Sequence, residues 1–163
     1  MRRCVLLLLL VGGCTGRPDE APGPSTQPAP PQVQWSAVGS RPALAEAAAR
    51  AAAAGKGLML DVRADWCVPC LELERKTFVD EQVRRVLDAR FVAARLDVTE
   101  PSPEAESLQG MVGGATMPQV LFWPLTDSEV EAFAAGTVPP PAKTISTFVS
   151  AQELVPILEG VQP

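Results

Sequence analysis

Beyond residue 32 the sequence alternates strand-like and helix-like stretches, which predicts an α/β domain with a central mixed sheet layered by helices. Two observations carry this expectation. The first is the alternation itself, which finishes on a hairpin-like pair, so that not every strand neighbour is parallel. The second is size. A chain of 163 residues, 47% hydrophobic and 20% charged, suffices for one ordinary domain with a real core and little more.

Each element has a local reason. Val33–Val38 (VQWSAV) has strand-like character. Pro42–Ala54 is an Ala-rich helix with Ser40 as its N-cap and Gly55 as its stop signal. Leu58–Ala64 reads as a strand closed by a Cys-X-X-Cys turn, and a helix starts near Cys67 and runs to about Lys76. Asp80 is placed to cap a helix through Leu87. Phe91–Asp97 is another strand, and Ser102-Pro103 opens a helix to about Met111, proline being favoured at the first helical position. Gln119–Trp123 is a strand. Residues 124–143, with consecutive prolines at 139–141, carry no clear pattern and read as a long, partner-specific loop. Thr144–Phe148 is the last strand, and Ser150 caps a final helix to Leu158 that Pro156 should kink or shorten.

The first 32 residues differ in kind. Met1-Arg2-Arg3 followed by the apolar run Val5–Val11 fits a secretory leader; the run is too short to span a bilayer, which needs roughly 20 apolar residues. Val11-Gly12-Gly13-Cys14 resembles the bacterial lipoprotein signal, in which the cysteine is lipidated and becomes the first mature residue. That resemblance makes residues 1–13 a leader, Cys14 the lipidation site and Cys4 a discarded residue. The alternative is an ordinary cleaved signal with an incidental cysteine. Thr15–Gln32 holds six prolines among small and polar residues, a linker with almost nothing to bury. In polyproline geometry it reaches some 55 Å, at about 3.1 Å per residue. The expected organisation is leader 1–13, lipidated tether 14–32 and globular domain 33–163.

Charge and composition exclude several functions. The formal net charge is −5 with no basic cluster, so nothing points to nucleic acid or an anionic membrane surface. Histidine is absent, which removes every His-based general base, metal site and haem ligand from this chain. Cys67 and Cys70 form a tight pair, far too sparse for a disulfide-stapled scaffold.

Thiol–disulfide exchange needs a thiolate to attack and a second thiol close enough to resolve the mixed disulfide. With Cys67 at a helix N-terminus, the free amides and the dipole favour its thiolate, while Cys70 lies one turn in and is shielded. Pro69 falls in the first turn, where its missing N–H costs little. A zinc site would need two more soft ligands, and the mature chain offers only Cys14. A static disulfide remains the bland alternative, although so short a loop is the least useful cross-link.

The stretch Asp61-Val62-Arg63-Ala64-Asp65-Trp66-Cys67-Val68-Pro69-Cys70 resembles the active-site segment of the thioredoxin-like superfamily. More closely, it is similar to the C-terminal periplasmic domain of the thiol:disulfide interchange protein DsbD and its stand-alone relatives. The likeness continues through Leu71–Phe78, with its Glu…Thr-Phe pattern, then Asp80–Val83, Phe91–Asp97 and Thr116-Met117-Pro118. It implies a thioredoxin fold with an N-terminal strand–helix extension. It further implies Cys67 as nucleophile, Cys70 as resolving thiol and Pro118 as a cis-proline facing the disulfide. Met117 would offer its backbone to a bound substrate, and Trp66 would form a wall of the site. Asp61 matches a buried acid that relays a proton to or from Cys70, a task helped by the raised pKa of a buried carboxylate; the alternative is a solvated or paired charge on the strand face it shares with Arg63. Glu74 matches a second acid of the DsbD-like branch, the alternative being a solvated helix glutamate. Arg63 stands where the family commonly has an aromatic residue, implying a more polar or basic surface.

The function so implied is an extracytoplasmic, membrane-anchored oxidoreductase that reduces client disulfides with electrons from a membrane partner. It uses no cofactor or metal beyond the redox-active disulfide. Thioredoxin-like centres span about −270 to −120 mV, and Val68-Pro69 shares its proline with reducing centres, which favours reduction. Two other readings stand beside it: a non-catalytic docking or assembly lipoprotein, and a specialised reductase for cytochrome c maturation or metallochaperone thiols.

Overall fold

The computed structural model describes residues 32–114 and 116–161. The expected leader, Cys14 and almost all of the linker lie outside them. The domain is built on a mixed five-stranded sheet in the order β1-β3-β2-β4-β5. The strands are β1 (Ser36–Ala37), β2 (Gly57–Arg63), β3 (Phe91–Asp97), β4 (Gln119–Trp123) and β5 (Lys143–Ile145). β1, β3 and β2 run parallel, and β4 and β5 run antiparallel to their neighbours. The helices are α1 (Arg41–Ala53), α2 (Val68–Glu72), α3 (Glu81–Arg90), α4 (Pro103–Val112), α5 (Asp127–Ala134) and α6 (Ala151–Gly160).

Helix starts follow from side-chain caps. Ser40, Asp80, Ser102 and Ser150 each accept a bond from a first-turn amide, satisfying donors that the helix itself leaves free. α2 does not continue as a regular helix to Lys76. It widens at Leu73–Thr77 into a π-helical stretch, with the Phe78 amide donating to the Leu73 carbonyl at 2.8 Å, and Thr77 Oγ1 pins its end to the Val149 carbonyl at 2.6 Å.

β2 is the centre of the core, and all seven of its residues are buried. Alternation along it sends Leu58, Leu60 and Val62 to one face, where they pack with Leu44 and Ala48 of α1 and Leu108 of α4. Met59 points the other way, into a cluster with Leu73, Val83 and Leu87 and with Leu154 of α6. Gly57 is required where β2 meets β4, since a Cβ there would lie 2.8 Å from the Trp123 carbonyl oxygen.

Four expectations are corrected. The first strand shrinks to Ser36–Ala37, and the last runs over Lys143–Ile145 rather than to Phe148. The stretch 124–143 is not one long loop: Thr126 and Glu129 form a reciprocal capping box that starts α5. Phe133 of that helix meets Trp123 edge-on at 5.5 Å, and Trp123 Nε1 ties back the proline run by donating to the Pro139 carbonyl at 2.9 Å. Finally, Pro156 does not shorten the last helix, which reaches Gly160. Buried Leu154, Val155 and Leu158 hold it against the sheet, outweighing the one backbone bond that proline removes.

Candidate active site

β2 ends at Arg63, and a short turn leads to Cys67, the N-cap of α2. Cys67 is bonded to Cys70, with S–S 2.04 Å and Cα–Cα 5.3 Å. Cys67 Sγ accepts from the Cys70 amide at 3.3 Å, so this sulfur sits where an amide donor favours negative charge. The two cysteines differ less in exposure than their expected roles suggest, at 5% for Cys67 and 2% for Cys70. The accessible surface belongs to their neighbours: Trp66 is 63% exposed and Val68 67%. Trp66 is therefore an open apolar rim, not a packed wall. The Asp65 amide donates to Thr99 Oγ1 at 2.9 Å, fastening the turn to the segment after β3.

The Met117–Pro118 peptide is cis, immediately before β4. Pro118 is buried, and Met117 packs against the cluster that contains both cysteines. Gln119 follows, and its Nε2 donates to the Gly113 carbonyl at 3.2 Å. Gly113 lies at φ +137, where a Cβ would come within 2.8 Å of that amide nitrogen.

Asp61 and Arg63 project from β2 on the Met59 face, the side on which the π-helical continuation of α2 packs. Asp61 is 1% exposed, and its Oδ2 accepts from Arg95 Nε at 3.0 Å and Nη2 at 2.8 Å. Burial raises its pKa, the Arg95 charge and hydrogen bond offset this in part, and the result is about 6. Glu74, placed by the π-helical stretch, is paired and only partly exposed: its Oε1 lies 2.9 Å from Arg95 Nη1 and 3.0 Å from Arg63 Nε.

Arg63 corrects the expectation of a more basic surface. It is 7% exposed, and three carboxylates neutralise it: Asp97, Asp65 at 2.7 Å, and Glu74. Burial opposes its charge, but the bonds to Asp97 and Asp65 outweigh that and raise its pKa. Burial likewise works against the charge of Asp97, yet Thr99 and Arg63 hold its carboxyl below the usual range.

The residues missing from the sequence reading are Arg95, Asp97 and Trp35. Trp35 lies with its ring 4.0 Å from the Arg95 guanidinium and edge-on to Phe78 at 5.3 Å. One signal was present: an arginine inside the otherwise apolar run Phe91–Leu96 needs a buried partner. Among the described residues, no group of three or more His, Cys, Asp or Glu is arranged to hold a metal ion, and no helix is long and apolar enough to cross a membrane.

Residues 39–124 match a family model described as thioredoxin-like. The thiol:disulfide interchange protein DsbD of Yersinia enterocolitica is 37% identical over 114 residues, which are 70% of this chain and 18% of that protein. DsbD of Vibrio cholerae is 35% identical over 109 residues, covering 64% of this chain and again 18% of the relative. This chain thus spans about a fifth of the length of the curated relatives it matches. Among solved structures, the oxidised C-terminal domain of Neisseria meningitidis DsbD is similar at 25% identity and TM-score 0.58, over 78% of this chain and all of that one. A thioredoxin from Thermus thermophilus, at 23% identity and TM-score 0.59 over 80% of this chain and 87% of its own, shares the fold.

Proposed function

The chain belongs to the thioredoxin-like family, and on that premise we propose that it is a membrane-tethered, extracytoplasmic thiol:disulfide oxidoreductase that reduces client disulfides. The observation that carries this reading is the Cys67–Cys70 disulfide at the start of α2, with buried Asp61 on the sheet face that the same helical segment covers.

In the reduced enzyme the Cys67 thiolate attacks one sulfur of a client disulfide. A Cys67–client bond forms, the client S–S bond breaks, and the first client thiolate leaves and takes a proton from water. Cys70 then gives its proton to the Asp61 carboxylate, and its thiolate attacks Cys67 Sγ. The Cys67–Cys70 bond forms, the second client thiolate departs, and two electrons have passed to the client. With a pKa near 6, Asp61 is mainly a carboxylate at neutral pH and close enough to neutrality to return the proton. Trp66 and Val68 supply an apolar landing surface, and beside Pro118 the Met117 backbone offers its N–H and C=O to an extended client segment. A membrane electron-donor protein restores the dithiol. Residues 1–13 act as the leader, lipidated Cys14 as anchor and residues 15–32 as tether, holding the 33–163 domain within reach of that donor.

Insulin reduction by the purified domain tests the activity. Turnover should vanish in Cys67→Ser, and Cys70→Ser should accumulate mixed disulfides that identify clients. No turnover by the native chain, together with a disulfide that resists strong reductant, would leave only a docking role. The equilibrium potential should lie nearer about −270 mV than about −120 mV. For the anchor, Cys14→Ser should move the protein from the membrane fraction to the soluble one.

A further inference from the structure

We propose that Arg63 is a positioning residue: it fixes Glu74 between two guanidiniums and so decides how Arg95 is shared between Glu74 and Asp61. This rests on the oxidoreductase reading in so far as Asp61 is the proton relay.

The geometry is specific. Every polar edge of the Arg63 guanidinium meets a carboxylate, with Nη1 on Asp97, Nη2 on Asp65 at 2.7 Å and Nε on Glu74 at 3.0 Å. The Nε contact is an ion contact off the line of a hydrogen bond, so it holds Glu74 by charge and place. A guanidinium this buried is costly to desolvate, and three acids around one cation leave no positive charge for the surface. Its effect is therefore internal. Glu74 Oε1 is the shared point, 3.0 Å from Arg63 and 2.9 Å from Arg95. Arg95 in turn is fully engaged, with Nε and Nη2 on Asp61, Nη1 on Glu74 and its flat face on Trp35.

The charged groups around Asp61 come from three elements. They are Arg63 on its own strand, Arg95 on β3 and Glu74 on the π-helical stretch, while Asp65 and Asp97 lie behind Arg63. On β4, Val120 faces Asp61 across the ladder and brings no charge. Glu74 opposes ionisation of Asp61 more strongly than Arg63 favours it. Loss of Arg63 leaves Glu74 on one cation and free to turn to solvent, so Arg95 is left to Asp61. Arg63 as placer and Arg63 as mere cation thus have opposite signs: removal lowers the proton affinity of Asp61 in the first case and raises it in the second.

The test is a carboxyl-carbon NMR titration of Asp61 in the oxidised protein, beside the pH profile of insulin reduction. Arg63→Met and Glu74→Gln should each lower the proton affinity of Asp61 by about three- to tenfold. The double variant should go no further than Glu74→Gln alone. Arg63→Lys keeps a cation but loses the Nε contact, so it should also shift downward, and it serves if Arg63→Met does not fold. An upward shift in Arg63→Met, or an unmoved Arg63→Lys beside a shifted Glu74→Gln, overturns the proposal. The titration reads the network without turnover, so an inactive native protein with the expected shifts would refute the functional reading and leave the placement of Glu74 intact.

Discussion

The two faces of β2 are equally dry and chemically opposite. Leu58, Leu60 and Val62 face α1 and α4 through apolar contact alone. On the other side Met59 is followed by Asp61 and Arg63, each nearly inaccessible, whose partners arrive from β3, the π-helical stretch and the active-site turn. Burial on the first face stabilises the fold directly. Charge on the second survives only because it is matched group by group; the π-helical stretch that continues the cysteine-bearing helix covers this face, while Cys67 and Cys70 themselves pack with the apolar cluster.

A single substitution can change either face on its own. Leu60→Ala should cost about 4 kcal/mol in urea unfolding through a cavity that the sheet cannot close, while the pH profile of the folded enzyme stays as it was. An altered profile would mean that the faces are not independent. Arg95→Met should cost about 3 kcal/mol at pH 7.5, since it leaves Asp61 buried without its partner. That cost should shrink at pH 4.5, where Asp61 takes up a proton.

Asp61→Asn should do the reverse and stabilise the protein. The folded-state pKa of Asp61 is raised from 3.8 to about 6, so its favourable contribution is complete below pH 3.8 and lost as pH rises through 6. That drop is about 3 kcal/mol for roughly two units at 1.36 kcal/mol each. The asparagine variant should lack it, gaining about 2 kcal/mol at pH 7.5 once the lost Arg95 bond is set against it, and nothing near pH 3. Its reductase rate should fall about 100-fold, the scale of a lost proton relay; stabilisation with an unchanged rate would remove Asp61 from the mechanism. The smallest effect belongs to Lys76→Ala. Its pair with Glu72 at 2.6 Å is half exposed, so unfolding should shift by no more than about 0.5 kcal/mol.

What the sequence disclosed follows the same division. Ser40, Asp80, Ser102 and Ser150 announce helix starts because a cap acts on residues two or three positions away. The Phe91–Asp97 and Gln119–Trp123 strands could be bounded from their own residues. α5 is equally legible in the Thr126–Glu129 capping box, although the prolines at 139–141 that follow give the stretch a loop-like composition. The Arg63–Glu74–Arg95–Asp61 arrangement was not legible. It depends on Asp61 standing opposite Arg95 in a parallel ladder, a register set by the whole sheet, and on a π-helical turn that re-aims Glu74. The resemblance suggested two acids; it did not supply the two cations that connect them.

β1 has a mechanical consequence. It is two residues long, paired only as Ser36 with Ala94 and Ala37 with Arg95, and the Val38 amide closes the pairing on the Arg95 carbonyl at 2.8 Å. Tension entering the domain from its N-terminal side therefore meets buried Val33 first, then Trp35 and this short ladder. Within the ladder the Ser36–Ala94 pair is loaded before Ala37–Arg95, so only a pull that opens both pairs would free the backbone carrying the partner of Asp61.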